Sequence, residues 1–122
     1  MPNFNYTTEQ PLPVDIAPTT DSVVPTTATA YKKGDLLIIA ADTNAATHSV
    51  TGKDFHAICL ADVTAEQATE KLAIGFEMPV YIAGKFDVAQ VKINGVALTP
   101  TQKLAARAHA NRSLPITLSV VK

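Results

Sequence analysis

The chain has 122 residues, of which 47% are apolar and 17% charged, and its formal net charge is −1. That length suits one domain around a single apolar core, and the near-neutral balance lacks the positive excess that bulk nucleic-acid binding requires. Apolar runs such as residues 36–41 fall far short of the roughly 20 residues of a membrane-spanning helix, and no basic region followed by an apolar stretch marks a secretory signal.

Charge is unevenly spread along the chain. Residues 1–30 carry Glu9, Asp15 and Asp21 without a base, and residues 31–84 are also net acidic. Residues 85–122 hold Lys85, Lys92, Lys103, Arg107, Arg112 and Lys122 against Asp87 alone, either as a solvated face or as a surface for an acidic partner. The first 30 residues contain five prolines and seven threonines and no sustained helical or strand period. Proline lacks an amide hydrogen and pushes its predecessor toward extended geometry, so this segment reads as an extended arm. Phe4, Tyr6, Leu12, Val14 and Ile16 make it too apolar for a purely solvated tail, and Val14 and Ile16 alternate as in a strand added to another protein's sheet. The expected division is therefore an arm over residues 1–30 and a β-rich domain over 31–122.

From Tyr31 onward strands are expected. Lys33-Gly34-Asp35 reads as a turn into a core strand at 36–41; a second strand follows at 47–51, and Gly52-Lys53-Asp54 turns the chain into a longer one at 55–63. Thr64 and Gln67 have capping-box spacing, but only Ala68 and Leu72 continue an apolar stripe, which predicts a loop or one short helical turn. Residues 78–83 form the next strand, Gly84 marks a bend, and Asn94-Gly95 between two short apolar runs predicts a tight hairpin. Thr99, Pro100 and Gln102 open the one well-marked helix, about 100–111, with Leu104, Ala105, Ala106 and Ala108 on its buried side and Lys103, Arg107 and Asn111 facing water. A final strand alternates through Leu114, Ile116, Leu118 and Val120. The fold class is α+β, mostly β: a small domain of short antiparallel strands with one helix.

No catalytic constellation is visible. His48, His56 and His109 lie on three elements without metal-ligand spacing, and each reads as a surface or structurally satisfied histidine. Cys59 sits mid-strand as a small hydrophobe; being alone, it offers neither a disulfide nor a multi-cysteine zinc site. Asp42 and Asp62 both follow strand segments, where turn chemistry accounts for them more simply than an acid–base pair. The five glycines are dispersed singly, so no phosphate-cradling loop is assembled. The reading is of a protein that is not an enzyme and needs no cofactor or metal.

The order of pieces resembles the lambda-type head decoration proteins of tailed phages. The resemblance runs over residues 31–122 and rests on Lys33-Gly34-Asp35, "FHAICLADV" at 55–63, "PVYIAGKF" at 79–86, a helix and a terminal β segment, behind a Pro/Thr-rich arm of similar character. The chain departs from the family in lacking tryptophan and in placing a helix between its last strands. The resemblance implies a homotrimer on the outer surface of an expanded capsid at threefold or quasi-threefold positions, with the major capsid protein as partner, no nucleic acid and no membrane. It also implies synthesis in the host cytoplasm, residence in the virion, and ordering of the arm against capsid subunits through Phe4, Tyr6, Leu12, Val14 and Ile16. The alternatives are a phage tail or baseplate interaction module, a small β-rich domain binding a ligand or glycan, and a hydrolase subunit with a concealed pocket.

Overall fold

A computed structural model describes residues 18–75 and 77–120. The expectation of a small, mostly β α+β domain holds. Among the described residues, eight strands and two helices follow in the order β1 (Thr19–Pro25), β2 (Leu36–Ile39), β3 (Ala45–His48), β4 (Ala57–Cys59), α1 (Ala65–Ile74), β5 (Met78–Asp87), β6 (Lys92–Ile93), β7 (Val96–Ala97), α2 (Pro100–Ser113) and β8 (Ile116–Ser119). A 3-10 turn, Val88–Gln90, follows β5.

Six strands form one sheet in the order β1-β3-β2-β4-β5-β8, and β1 also pairs with β5, closing the first five into a ring. The sheet is mixed, not antiparallel throughout, because β1 runs parallel to β3 and β5 runs parallel to β8. Parallel neighbours need a long crossover, and the stretch from Val88 through α2 supplies it for β5 and β8. β6 and β7 form the separate hairpin at Asn94-Gly95, both of which adopt the positive φ that such a turn demands.

Because successive strand residues face opposite ways, the sheet divides the core in two. Val23, Leu37, Ala46, Ala57, Cys59, Met78 and Val80 pack with Tyr31, Val63 and Ala68; every strand of the ring contributes, so this cluster is its interior. Leu36, Phe55, Ile58, Tyr81 and Phe86 point the other way and are covered by Ala106 and Ala110 of α2 and by Ile116 and Leu118 of β8. Fully burying a side chain such as Phe86 contributes about 1.5–3 kcal/mol, so this outer layer is a second core rather than a covering.

Several expectations change. Residues 19–25 belong to the ring: β1 pairs along Thr19–Val23 with β5, and Val23 is buried inside, so the boundary expected at residue 30 does not coincide with the edge of the folded body. Only the part of the expected arm before Pro18 lies outside the described residues, and it includes Phe4, Tyr6, Leu12, Val14 and Ile16. The segment after Thr64 is a ten-residue helix, not a loop or single turn; both halves of its capping box form, and Gly75 closes it in left-handed geometry. It needs no apolar stripe because Ala68 is the one side chain that it buries. The strand expected at 47–51 is Ala45–His48, and that expected at 55–63 narrows to Ala57–Cys59, with Val63 returning to pair with Tyr31. α2 starts at Pro100 as expected, but it buries Ala106 and Ala110 while Leu104 is 66% exposed.

Candidate functional site

The Lys33-Gly34-Asp35 turn is where the motif pieces meet. Gly34 has φ +96°, and a Cβ there would collide with the Gln90 carbonyl oxygen, so the close approach of the two backbones requires glycine. Its amide donates to the Cys59 carbonyl at 2.9 Å, and its own carbonyl accepts from Lys92 N at 2.9 Å. Asp35 is 1% exposed and accepts from the amides of Lys32 and Gly95, both at 2.8 Å. The Lys33 amide donates to Asp62 at 2.8 Å. Tyr31 and Val63 exchange backbone hydrogen bonds, and β4 pairs with β5 through Ile58↔Tyr81 and Cys59↔Val80. The turn, the 55–63 piece, the 79–86 piece and the Asn-Gly hairpin thus form one bonded unit, with a buried carboxylate as a hydrogen-bond acceptor at its centre.

The three histidines serve separate parts of the framework. His48 Nε2 donates to the Ala30 carbonyl at 2.7 Å, its Nδ1 lies 3.6 Å from Asp35, and its ring packs on Tyr31 with centroids 5.1 Å apart. His56 Nδ1 accepts from Ile39 N at 3.0 Å, and His109 Nε2 donates to the Phe55 carbonyl at 2.9 Å. Among the described residues, no group of three His, Cys, Asp or Glu side chains could hold a metal ion. Cys59 lies inside the ring, where burial first, and then the nearby Asp35 and Asp62 carboxylates, push its thiol up to about 11 against the opposing hydrogen bond to Ala61. It is a packing residue with little thiolate at neutral pH. Asp62 holds the Lys33 amide, whereas Asp42 lies exposed in the turn between β2 and β3; no hydrogen bond joins the two.

Two features went unread in the sequence. The first is the loop from Ser49 to Asp54: Ser49 Oγ donates to Asp54 and accepts from Gly52 N, and Val50 N also donates to Asp54. Partial burial opposes ionisation of Asp54, but the bonds from Ser49, Val50, its own amide and Thr51 outweigh it and hold the carboxyl below the ordinary range. The loop presents Val50 to solvent, 74% exposed. The second is a groove of about 430 Å³ on α2, lined by Leu104, Arg107, Ala108, Asn111 and Arg112. Arg107 lines this groove, while its Nε is buried out of solvent with no hydrogen-bond partner. The signal was available: Ala106 and Ala110 stand four residues apart on one helical face, which leaves Leu104 and Ala108 on another. A smaller groove of about 340 Å³ runs between Ala28 and the α1 residues Ala65, Glu66, Thr69 and Glu70.

No protein-family model matches this chain, and no curated protein matches it either. No helix among the described residues is long and apolar enough to cross a membrane.

Proposed function

We propose that the chain is a head decoration protein, one that caps the outer surface of a tailed phage's expanded capsid as a homotrimer and stabilises the shell against the pressure of packaged genome. The observation that carries the reading is the bonded unit around Asp35. Three of the pieces on which the resemblance rests, the Lys33-Gly34-Asp35 turn, residues 55–63 and residues 79–86, are joined to one another by backbone and carboxylate hydrogen bonds.

The role is structural rather than catalytic, and the arm supplies the grip. An apolar segment preceding a closed ring of strands can postpone its ordering until a partner offers a groove or sheet edge. Ordering costs roughly 1–2 kcal/mol per backbone residue, so the capsid must return many contacts to each arm. Three arms on one symmetric cap raise one another's effective concentration once the first has docked, which lets weak individual contacts hold. Phe4, Tyr6, Leu12, Val14 and Ile16 are the proposed anchors on the major capsid protein.

Because β1 begins at Thr19, the test is removal of residues 2–17, which spares the ring. The truncated protein is expected to keep its melting temperature and a solution mass near 39 kDa, three times 12.9 kDa, while losing addition to expanded capsids. Normal capsid occupancy by the truncated chain would reject the arm mechanism.

A further inference from the structure

We infer that α1 of one copy packs antiparallel on α2 of the next, and that this contact, made three times, closes the homotrimer. The inference rests on the homotrimer of the reading above and names the two surfaces that build it.

Each helix turns one row of side chains outward. Residues four apart share a helical face. In α1 the row is Glu66, Glu70 and Ile74, all exposed, with Ile74 66% open to solvent. In α2 it is Leu104, Ala108 and Arg112, again all exposed, with Leu104 also 66% open. Each row runs for about 12 Å along its helix, so the two match in length. Within the chain the charges are unanswered: among the described residues, none of Glu66, Glu70 and Arg112 takes part in an ion pair. Glu66 and Glu70 are moreover like charges at a spacing that weakens an isolated helix, so a cation brought by a neighbour relieves them.

The rows fit each other in one orientation. The α1 row begins acidic and ends apolar, whereas the α2 row begins apolar and ends in a cation. Laid antiparallel, Ile74 meets Leu104, Glu66 and Glu70 come within reach of Arg112, and the small Ala108 between them lets the helices approach. Laid parallel, Glu66 would face Leu104 and Ile74 would face Arg112. Neither row matches itself, since a twofold contact sets like charges together or an apolar residue against a charged one. The contact is therefore heterologous, joining two different patches, and such contacts close into rings when the rotation allows. α1 buries Ala68 in the ring interior and α2 buries Ala106 and Ala110 in the outer core, and no hydrogen bond joins the two helices among the described residues, so one chain can offer both rows at once. A single strip is small beside the roughly 800 Å² that each partner gives to a stable interface; ring closure compensates, because a chain must break two contacts to leave.

The test uses full chains with Ile74→Cys or Leu104→Cys, two exposed positions, oxidised by diamide while Cys59 stays buried. Neither chain alone is expected to cross-link; a mixture of the two should give a two-chain disulfide, and both cysteines in one chain a ladder that ends at three. Sedimentation of cysteine-free variants reads the charges: Glu66→Lys/Glu70→Lys, or Arg112→Glu, should reduce the mass to 12.9 kDa at concentrations where the wild type has three times that. All three substitutions in one chain restore opposite signs and should recover the trimer. A mixture that links no better than its components, or a wild type that is monomeric at every concentration, would overturn the contact. A trimer that withstands the reversals would overturn this contact alone and leave the capsid reading standing. A cross-linked trimer that no expanded capsid accepts would instead reject that reading and support the contact.

Discussion

α1 and α2 begin in the same way and are held in different ways. Each starts on a threonine whose hydroxyl accepts the N3 amide while the N3 glutamine accepts the threonine's own amide, and each is anchored by alanine rather than leucine. α1 joins β4 to β5, which are antiparallel neighbours that a shorter loop would also connect; it buries Ala68 and is tied to the turn after β1 by Thr69, which accepts from Ala28 N. α2 belongs to a crossover that the parallel β5–β8 pair cannot do without, and it roofs the outer core. Its polar residues are fastened to the backbone below, Asn111 to Leu118 and His109 to Phe55. The difference teaches that a capping box decides where a helix starts, whereas topology decides whether the rest of the fold depends on it.

The largest expected effect comes from cutting the fastening of α2. Asn111→Ala leaves the Leu118 amide without its acceptor on the free side of β8 and should cost about 1–3 kcal/mol in urea unfolding. The corresponding cut at α1, Thr69→Ala, removes an exposed bond and should cost less than half as much; equal losses would end the distinction between the helices. A smaller effect, about 1 kcal/mol each, is expected for Thr99→Ala and Thr64→Ala, because each deletes one capping hydroxyl. Hydrogen exchange sharpens the comparison: Thr99→Ala should lower protection across the whole domain, and Thr64→Ala mainly over residues 65–74.

The smallest effect lies in the loop at the foot of α2, where a Cβ on Gly52 would stand 3.7 Å from the Gln102 carbonyl. Asp54 has its carboxyl held below the ordinary range in the folded state, so its contribution to stability is present above the unfolded value near pH 4 and fades as pH falls through the lower, folded value. Asp54→Asn should therefore lower the melting temperature slightly at pH 7 and reduce its decline below pH 4. An unchanged acid limb in the variant would remove Asp54 as its source.

Legibility followed the range of the interactions. The Asn94-Gly95 hairpin and the start of α2 could be read because a turn that needs positive φ and a capping box with proline at the first helical position are each complete within a few residues. The α1 capping box was equally visible, but the helix behind it was not, since a single buried alanine leaves no stripe to count. Residues 19–25 were hidden for the opposite reason: threonine, aspartate, serine and proline look like tail, and the segment becomes a strand only because β5 and β3 lie on either side of it. In the candidate site, Lys33-Gly34-Asp35 could be read as a turn, but the partners of Asp35 could not, because Gly95 and His48 reach it from distant parts of the chain.

What the sequence determined by itself was local: where helices start, where the chain turns, the mostly β character, and the uneven charge that leaves α2 basic and the opening segment acidic. Tertiary structure decided the parallel pairings, the closure of the ring through β1, and the turning outward of Leu104 in favour of Ala106 and Ala110. These depend on which surfaces meet, and a close approach between helix and sheet selects the smallest side chains at the contact, a choice that hydrophobicity along the chain does not encode.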